Sequence, residues 1–195
     1  MLVVITGPSG VGKTTIIRSL LRADPNLRYS TSLTTRQPRP GEVDGIDYCF
    51  VSDEKFRKAI AEERFAEWSQ VYDKYYGRLK KDLDDLIRRG DVLVGIDVQG
   101  AMKLQDKYPE GVFIFLLPRS EAALESQLRG RETDDEASIE TRLGAAFKEM
   151  NQAGNFDYTV VNDEISETVR RVQSILVAER RKELRAKGKE RRAEG

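Results

Sequence analysis

The segment Gly7-Pro8-Ser9-Gly10-Val11-Gly12-Lys13-Thr14-Thr15 comes directly after the apolar run "LVVIT" that starts at Leu2. Its spacing, G-x-x-x-x-G-K-[ST], suits a loop whose backbone N–H groups turn inward at the start of a helix and bind phosphate oxygens there. In such a loop Lys13 reaches the outer phosphates of a nucleotide, and the Thr14 hydroxyl stands where it ligates Mg2+. Gly7 to Thr15 are therefore candidate ATP-binding residues, with Lys13 also catalytic. The loop works only between a strand and a helix, so it commits the chain to an α/β architecture near its start. It says that a polyphosphate is held, but not where the phosphate goes.

Three later runs resemble the first strand: "DVLVGID" from Asp91, "VFIFLL" from Val112 and "DYTVV" from Asp157. Each is short, apolar, rich in β-branched residues and succeeded by a helical pattern. Helices are predicted over Gly12 to Ala23, Asp53 to Glu63, Val98 to Lys107, Ser120 to Gln127, Asp135 to Met150 and from Glu164 onward. Alternating strands and helices give a parallel sheet with right-handed crossovers, a three-layer α/β fold. Residues from about 31 to 80 break this rhythm with β-like pieces such as "GIDYCFVS" and most of the tyrosines, as an inserted, partly antiparallel subdomain would. Residues 129 to 137, "RGRETDDEA", nearly lack apolar side chains and are expected to form a mobile loop between helices.

Composition narrows the chemistry. With 33 basic and 33 acidic residues in 195, no overall charge draws the chain to nucleic acid or lipid, so acidic ligands must be met by local clusters. The absence of histidine removes serine–histidine and cysteine–histidine hydrolases and histidine metal sites. Cys49, the lone cysteine, excludes an internal disulfide and fits a reducing compartment; its place in "DYCFVS" reads as a packed strand position. The longest apolar run, "VFIFLL", is too short to span a membrane, and no leader precedes the first strand, so a soluble cytoplasmic protein is expected. The basic end, "AERRKELRAKGKERRAEG", reads as a solvated helix end, and a homo-oligomer stays open.

Arg36 and Arg39 flank a proline, and Tyr75 and Tyr76 occur later in the same inserted segment. Guanidinium groups bind phosphate oxygens bidentately, so such a set can clamp a second, smaller phosphate. Taken alone, the same residues also read as surface arginines and core tyrosines.

They do not stand alone. "SLTTRQPRPGEVDGIDYCFVS", "FAEW", "YYG", "IDVQG" and "VVND", downstream of "GPSGVGK", resemble the guanylate kinases in order and spacing over about residues 2 to 180. The resemblance implies transfer of the γ-phosphate of ATP to GMP (and dGMP), with Mg2+, giving ADP and GDP. It also implies a core (1–31 and 81–190), a GMP-binding subdomain (about 32–80), a lid (about 128–142) and a basic tail (180–195). By matching position, Arg36, Arg39, Tyr48 and Tyr76 would hold the GMP phosphate and Ser32 and Glu67 the guanine. Arg131 and Arg142 would close over the transferring group, Asn162 would lie near adenine, and Asp97 near GMP and Mg2+. The chemistry of Glu67 agrees. One carboxylate accepts from guanine N1–H and N2–H together, whereas adenine presents a lone pair at N1.

Four positions depart from the family pattern: Gly95 for an acid near the metal, Gln127 for a lid arginine, Glu132 for a glycine, and Arg78 for a serine or threonine that donates to guanine. Arg78 is still a donor, suited to the O6/N7 edge of guanine, and so counts as a candidate GMP ligand. Two other readings share these motifs: a non-catalytic phosphopeptide-binding module of guanylate kinase type, and a kinase for another phosphorylated acceptor.

Overall fold

The computed structural model describes residues 1–71, 73–129 and 136–193. Five strands form the main sheet: β1 (Leu2–Thr6), β2 (Arg28–Tyr29), β7 (Val92–Gly95), β8 (Val112–Pro118) and β9 (Tyr158–Asn162), in the order β2-β7-β1-β8-β9. Every pairing in it is parallel. Successive residues of β1 enter different cores: Val3 and Ile5 join one, Leu2 and Val4 the other. A central parallel strand buries both faces, which is why "LVVIT" has no polar alternation.

On the first face lie α1 (Lys13–Ala23) and α7 (Ile165–Ala193), through Ile16, Ile17, Leu20, Val169, Val172 and Leu176. On the other lie α3 (Lys80–Arg89) and α4 (Val98–Lys107), through Leu83, Val98, Ala101 and Leu104. The three-layer α/β expectation holds. Arg180 of α7 pins the layers together, bonding Asp24 at 2.7 Å and Asp91 at 2.6 Å.

The second sheet comes from the inserted segment: β3 (Leu33–Thr34), β4 (Cys49–Phe50), β5 (Phe65–Val71) and β6 (Lys74–Leu79), ordered β4-β3-β6-β5 and mixed in direction. Helix α2 (Asp53–Ala61), capped by the Ser52 side chain, lays Phe56 on it between Phe65 and Tyr75, with ring centroids at 4.5 Å and 5.4 Å. In the β5–β6 hairpin Phe65 faces Leu79 and Glu67 faces Arg78, so Ala66 is an extra residue on β5. From the turn the register runs unbroken to Glu67 opposite Arg78, and the bulge beyond it lets Phe65 face Leu79. The packed-strand reading of Cys49 matches its place in β4, with the thiol half-buried.

Three features differ from the sequence expectations. Helix α3 is absent from them: "KKDLDDLIRR" is mostly charged, and its stripe of Leu83, Leu86 and Ile87 is three residues long. Strand β2, of two residues, is too short to show periodicity. Strand β7 ends at Gly95, so Asp97, expected within the strand run "DVLVGID", lies beyond it as the N-cap of α4. Residues 130–135, including Arg131, Glu132 and most of the expected mobile loop, lie outside the described residues. The helices α5 (Glu121–Arg129) and α6 (Glu136–Met150) flank them. No described helix is long and apolar enough to cross a membrane.

Candidate active site

The loop from Gly7 to Gly12 leaves the carboxyl end of β1, the central strand, where parallel sheets place their ligands. Gly12 is the N-cap of α1 in a left-handed conformation (φ 91), and no side chain caps the helix. The first N–H groups of α1 thus stay available to an anion. Asn162, at the end of β9, donates to the Val11 carbonyl at 2.7 Å and braces the loop from below. A side chain at Gly12 would meet that amide at 2.9 Å. Lys13 is folded back, donating to the carbonyls of Gly7 (2.6 Å) and Pro8 (3.0 Å). Thr14 and Thr15, in the first turn, are exposed.

One acid not singled out from sequence enters the cradle. Glu149, near the end of α6, accepts the Ser9 N–H at 3.2 Å. Burial pushes its carboxyl above the ordinary range, while Lys13 and the Ser9 bond pull it down and Asp97 adds repulsion. One N–H of the loop is thus already given to a carboxylate oxygen. Its separation of 140 residues from Ser9 explains why no local pattern reveals it.

Asp97 accepts from Ser69 Oγ at 2.9 Å and from the Gly100 N–H at 2.9 Å, one bond to each carboxylate oxygen. It exerts charge on both Glu149 and Glu67, so it stands between the cradle and the inserted sheet. The space that an acid at position 95 would need is filled by Ile17: a β-carbon on Gly95 would lie 2.3 Å from the Ile17 side chain and 3.6 Å from the Tyr29 hydroxyl. The glycine goes with a close approach of α1 to β7. No group of three acidic or thiol ligands occurs among the described residues. The oxygen donors Thr14 and Asp97 nonetheless fit a hard cation such as Mg2+, which commonly takes one or two carboxylates and fills its shell with waters and phosphate oxygens.

The second sheet gathers the remaining candidates into two groups. In the first, Arg36 lies 5.3 Å from the Tyr48 ring centroid with Tyr76 beside it, and the Tyr48 and Tyr76 rings meet edge-on at 6.0 Å. Glu42, another residue the sequence reading leaves out, takes Arg36 bidentately at 2.8 and 2.9 Å and accepts the Arg39 N–H at 2.7 Å. Burial opposes the charge of Arg36, yet its bonds to Glu42 and Tyr76 hold its pKa above the arginine norm. The Arg39 side chain is exposed.

In the second group, Glu67 and Arg78 form a buried ion pair at 3.2 Å, and Arg78 also donates to Ser32 Oγ at 2.7 Å and to the Ser30 carbonyl at 3.0 Å. Burial pushes the Glu67 carboxyl up to about 7 against the pull of Arg78, with Asp97 adding to the rise and Lys103 and Lys107 opposing it. Three buried side-chain atoms lack a hydrogen-bond partner among the described residues: Thr6 Oγ1, Arg36 Nε and Arg78 Nε. Orphans of this kind ordinarily need an explanation. All three belong to the cradle strand or to these two groups.

A sequence profile of the guanylate kinases matches residues 1–179. The guanylate kinase of Caldanaerobacter subterraneus is 45% identical over 92% of this chain and 88% of its own length, and that of Latilactobacillus sakei is 46% identical over 92% and 89%. The chain belongs to the guanylate kinase family. The crystal structure of guanylate kinase from Anaplasma phagocytophilum superposes with a TM-score of 0.75 at 34% identity, covering 92% of this chain and 85% of that one. As a member of the guanylate kinase family the chain is an enzyme, a nucleotide-binding phosphotransferase. Arg142 stands half-buried on α6, while Arg131 falls outside the described residues.

Proposed function

We propose that the chain transfers the γ-phosphate of ATP to GMP, and to dGMP, in a reducing cytoplasmic setting that fits the unpaired Cys49. The observation that carries this reading is the buried Glu67, held against Ser32 and Arg78 on one sheet while the phosphate loop stands on the other. A carboxylate so placed accepts from two adjacent N–H groups, which guanine has and adenine lacks.

In this reading the loop N–H groups and Lys13 hold the ATP phosphates, Lys13 leaving the carbonyls of Gly7 and Pro8 and Glu149 yielding the Ser9 N–H. Asn162 keeps the loop in shape and lies toward the adenine side. Arg36, Tyr48 and Tyr76, with Arg39, take the GMP phosphate, which displaces Glu42 from Arg36. Arg142, with Arg131, places positive charge over the transferring group, whose transition state needs positioning and charge neutralisation more than covalent help. Thr14 and Asp97 would hold Mg2+, which would offset the negative charge of the phosphates.

A coupled ADP-release assay with GMP, dGMP, AMP and UMP as acceptors tests the reading. GMP and dGMP are expected to support turnover, with AMP and UMP far behind; equal rates for all four would refute it. Phosphopeptide binding without ADP release would instead favour the non-catalytic module. In the same assay Glu67→Gln is expected to weaken GMP by about 2–3 kcal/mol, the value of hydrogen bonds to a charged group, while AMP stays poor or improves. Equal losses for GMP and AMP would make Glu67 merely structural.

The titration of Glu67 gives two opposite pH trends. Its folded pKa is raised from 4.5 to about 7, so the folded chain keeps a proton that the unfolded chain releases. Its contribution to stability is full below 4.5 and is lost as pH rises through about 7. GMP needs the ionised form, so its KM should fall across the upper part of that window as the melting temperature drifts down. A KM for GMP that is flat from pH 6 to 8 would contradict the assignment.

A further inference from the structure

On the reading of GMP as acceptor, we propose that Arg78 is a positioning residue for base recognition: its guanidinium ties Glu67 and Ser32 together and holds both toward the guanine without touching the base. Three observations carry this. Both terminal nitrogens of Arg78 are already committed to the protein, Nη1 to Glu67 and Nη2 to Ser32 and the Ser30 carbonyl. The side chain of Arg78 is wholly enclosed at 0% exposure, whereas Glu67 keeps 2% of its side chain open. Ser32, at 7%, is likewise not fully closed. A base that comes against this part of the sheet thus meets Glu67 and Ser32 while Arg78 stays behind them. The regular register of the hairpin, from Val71 opposite Lys74 to Glu67 opposite Arg78, sets the two charges directly across from each other.

A serine or threonine at position 78 could offer a hydroxyl to the base, but it could not span from β5 to Ser32 or balance a buried carboxylate. Arginine does both, because its planar fork bridges two partners at once. The pair also excludes the alternative of an unpaired buried charge, which is strongly destabilising. Ser69 lies on the same strand as Glu67 and holds Asp97 at 2.9 Å, so a fixed Glu67 also keeps the base site in register with Asp97. Departure from the family pattern at this one position therefore changes who orients the reading group, and leaves the reading group in place.

Inosine monophosphate separates the two roles that Arg78 could have. It shares O6, N7 and N1–H with GMP and lacks only the N2 amino group. The unmodified chain is expected to prefer GMP over inosine monophosphate by about 10- to 100-fold in kcat/KM, the loss of one hydrogen bond to a charged group. Arg78→Met should raise the KM for GMP, leave kcat nearly unchanged, and collapse the GMP preference toward that of Glu67→Gln. Arg78→Lys, which keeps the charge and loses the fork, should restore part of the preference. If Arg78→Met weakens both nucleotides equally and preserves their ratio, Arg78 reads O6 directly and the proposal is overturned. It is also overturned if kcat falls and KM does not. Failure of the unmodified chain to phosphorylate GMP would overturn the GMP reading itself, a result distinct from an active chain whose Arg78→Met variant keeps its ratio.

Melting temperatures guard against a simple folding defect and read the pair without any nucleotide. Arg78→Met and Glu67→Gln should each lower the melting temperature, and the double variant should lose less than the sum of the two, since it leaves no unpaired charge buried. Strictly additive losses would show that the two side chains do not act as a unit, and the proposal would fall.

Discussion

Lys13→Ala is expected to lower kcat at least about 10²-fold, comparable to removing a preorganised donor from an oxyanion site. The lysine rests on the carbonyls of its own loop at 2.6 and 3.0 Å, so it is held within the cradle before any nucleotide arrives. Gly7 and Pro8 are buried, so withdrawing the donor from their carbonyls is expected to lower stability by about 1–3 kcal/mol as well, a loss far smaller than unfolding. A stopped assay of ADP release beside a thermal melt checks both halves. A variant that still folds and turns over at near the full rate would take Lys13 out of the mechanism.

Gly7→Ala should act on the opposite quantity. Gly7 has φ 142, and a β-carbon there would lie 2.4 Å from the backbone carbonyl oxygen of Leu116 on the neighbouring strand. No rotamer relieves a clash with backbone, so either β8 or the loop must move. Backbone strain and overpacking together give an expected loss of about 2–5 kcal/mol. For a chain of this size that lowers the melting temperature by roughly 5–20 °C. Gly154→Ala is the matched control, since nothing lies within 4 Å of its added carbon. A melting temperature for Gly7→Ala equal to that control would mean that the loop accommodates a side chain, against the tight seat seen beside Leu116.

The parts of the fold legible in sequence are those set by local chemistry. The strands β1, β7 and β8 announce themselves because burial on both faces demands continuous apolar residues, and the edge strand β9, largely open, is marked by its β-branched run. The phosphate loop is legible because its glycines and lysine act within nine residues. Helix α3 is hidden by its charges: packing on one short stripe through Leu83 overrides a composition that looks like a linker. The β5–β6 hairpin carries no glycine at its turn, so nothing local marks where the chain reverses. Glu42 and Glu149 escape notice for another reason. Each pairs with a residue distant from its own local pattern, and only three dimensions show that the arginine and the loop already hold carboxylates. The family resemblance reaches further than periodicity can, naming Ser32, Glu67, Arg36, Tyr48 and Tyr76 together although they lie far apart in the chain. It does not say that Arg78 turns inward.

Ala66 carries almost no chemistry, and what it contributes is a count: it is the residue of β5 without a partner on β6. Because Phe65 already faces Leu79 and Glu67 already faces Arg78, a chain without it would keep both pairings and lose only the local bend. A residue inserted between Glu67 and Trp68 would act differently, turning the side chains on one side of it to the opposite face of the strand. The tolerance of this hairpin to a change of length is therefore uneven, and it is widest beside the acid that reads the base.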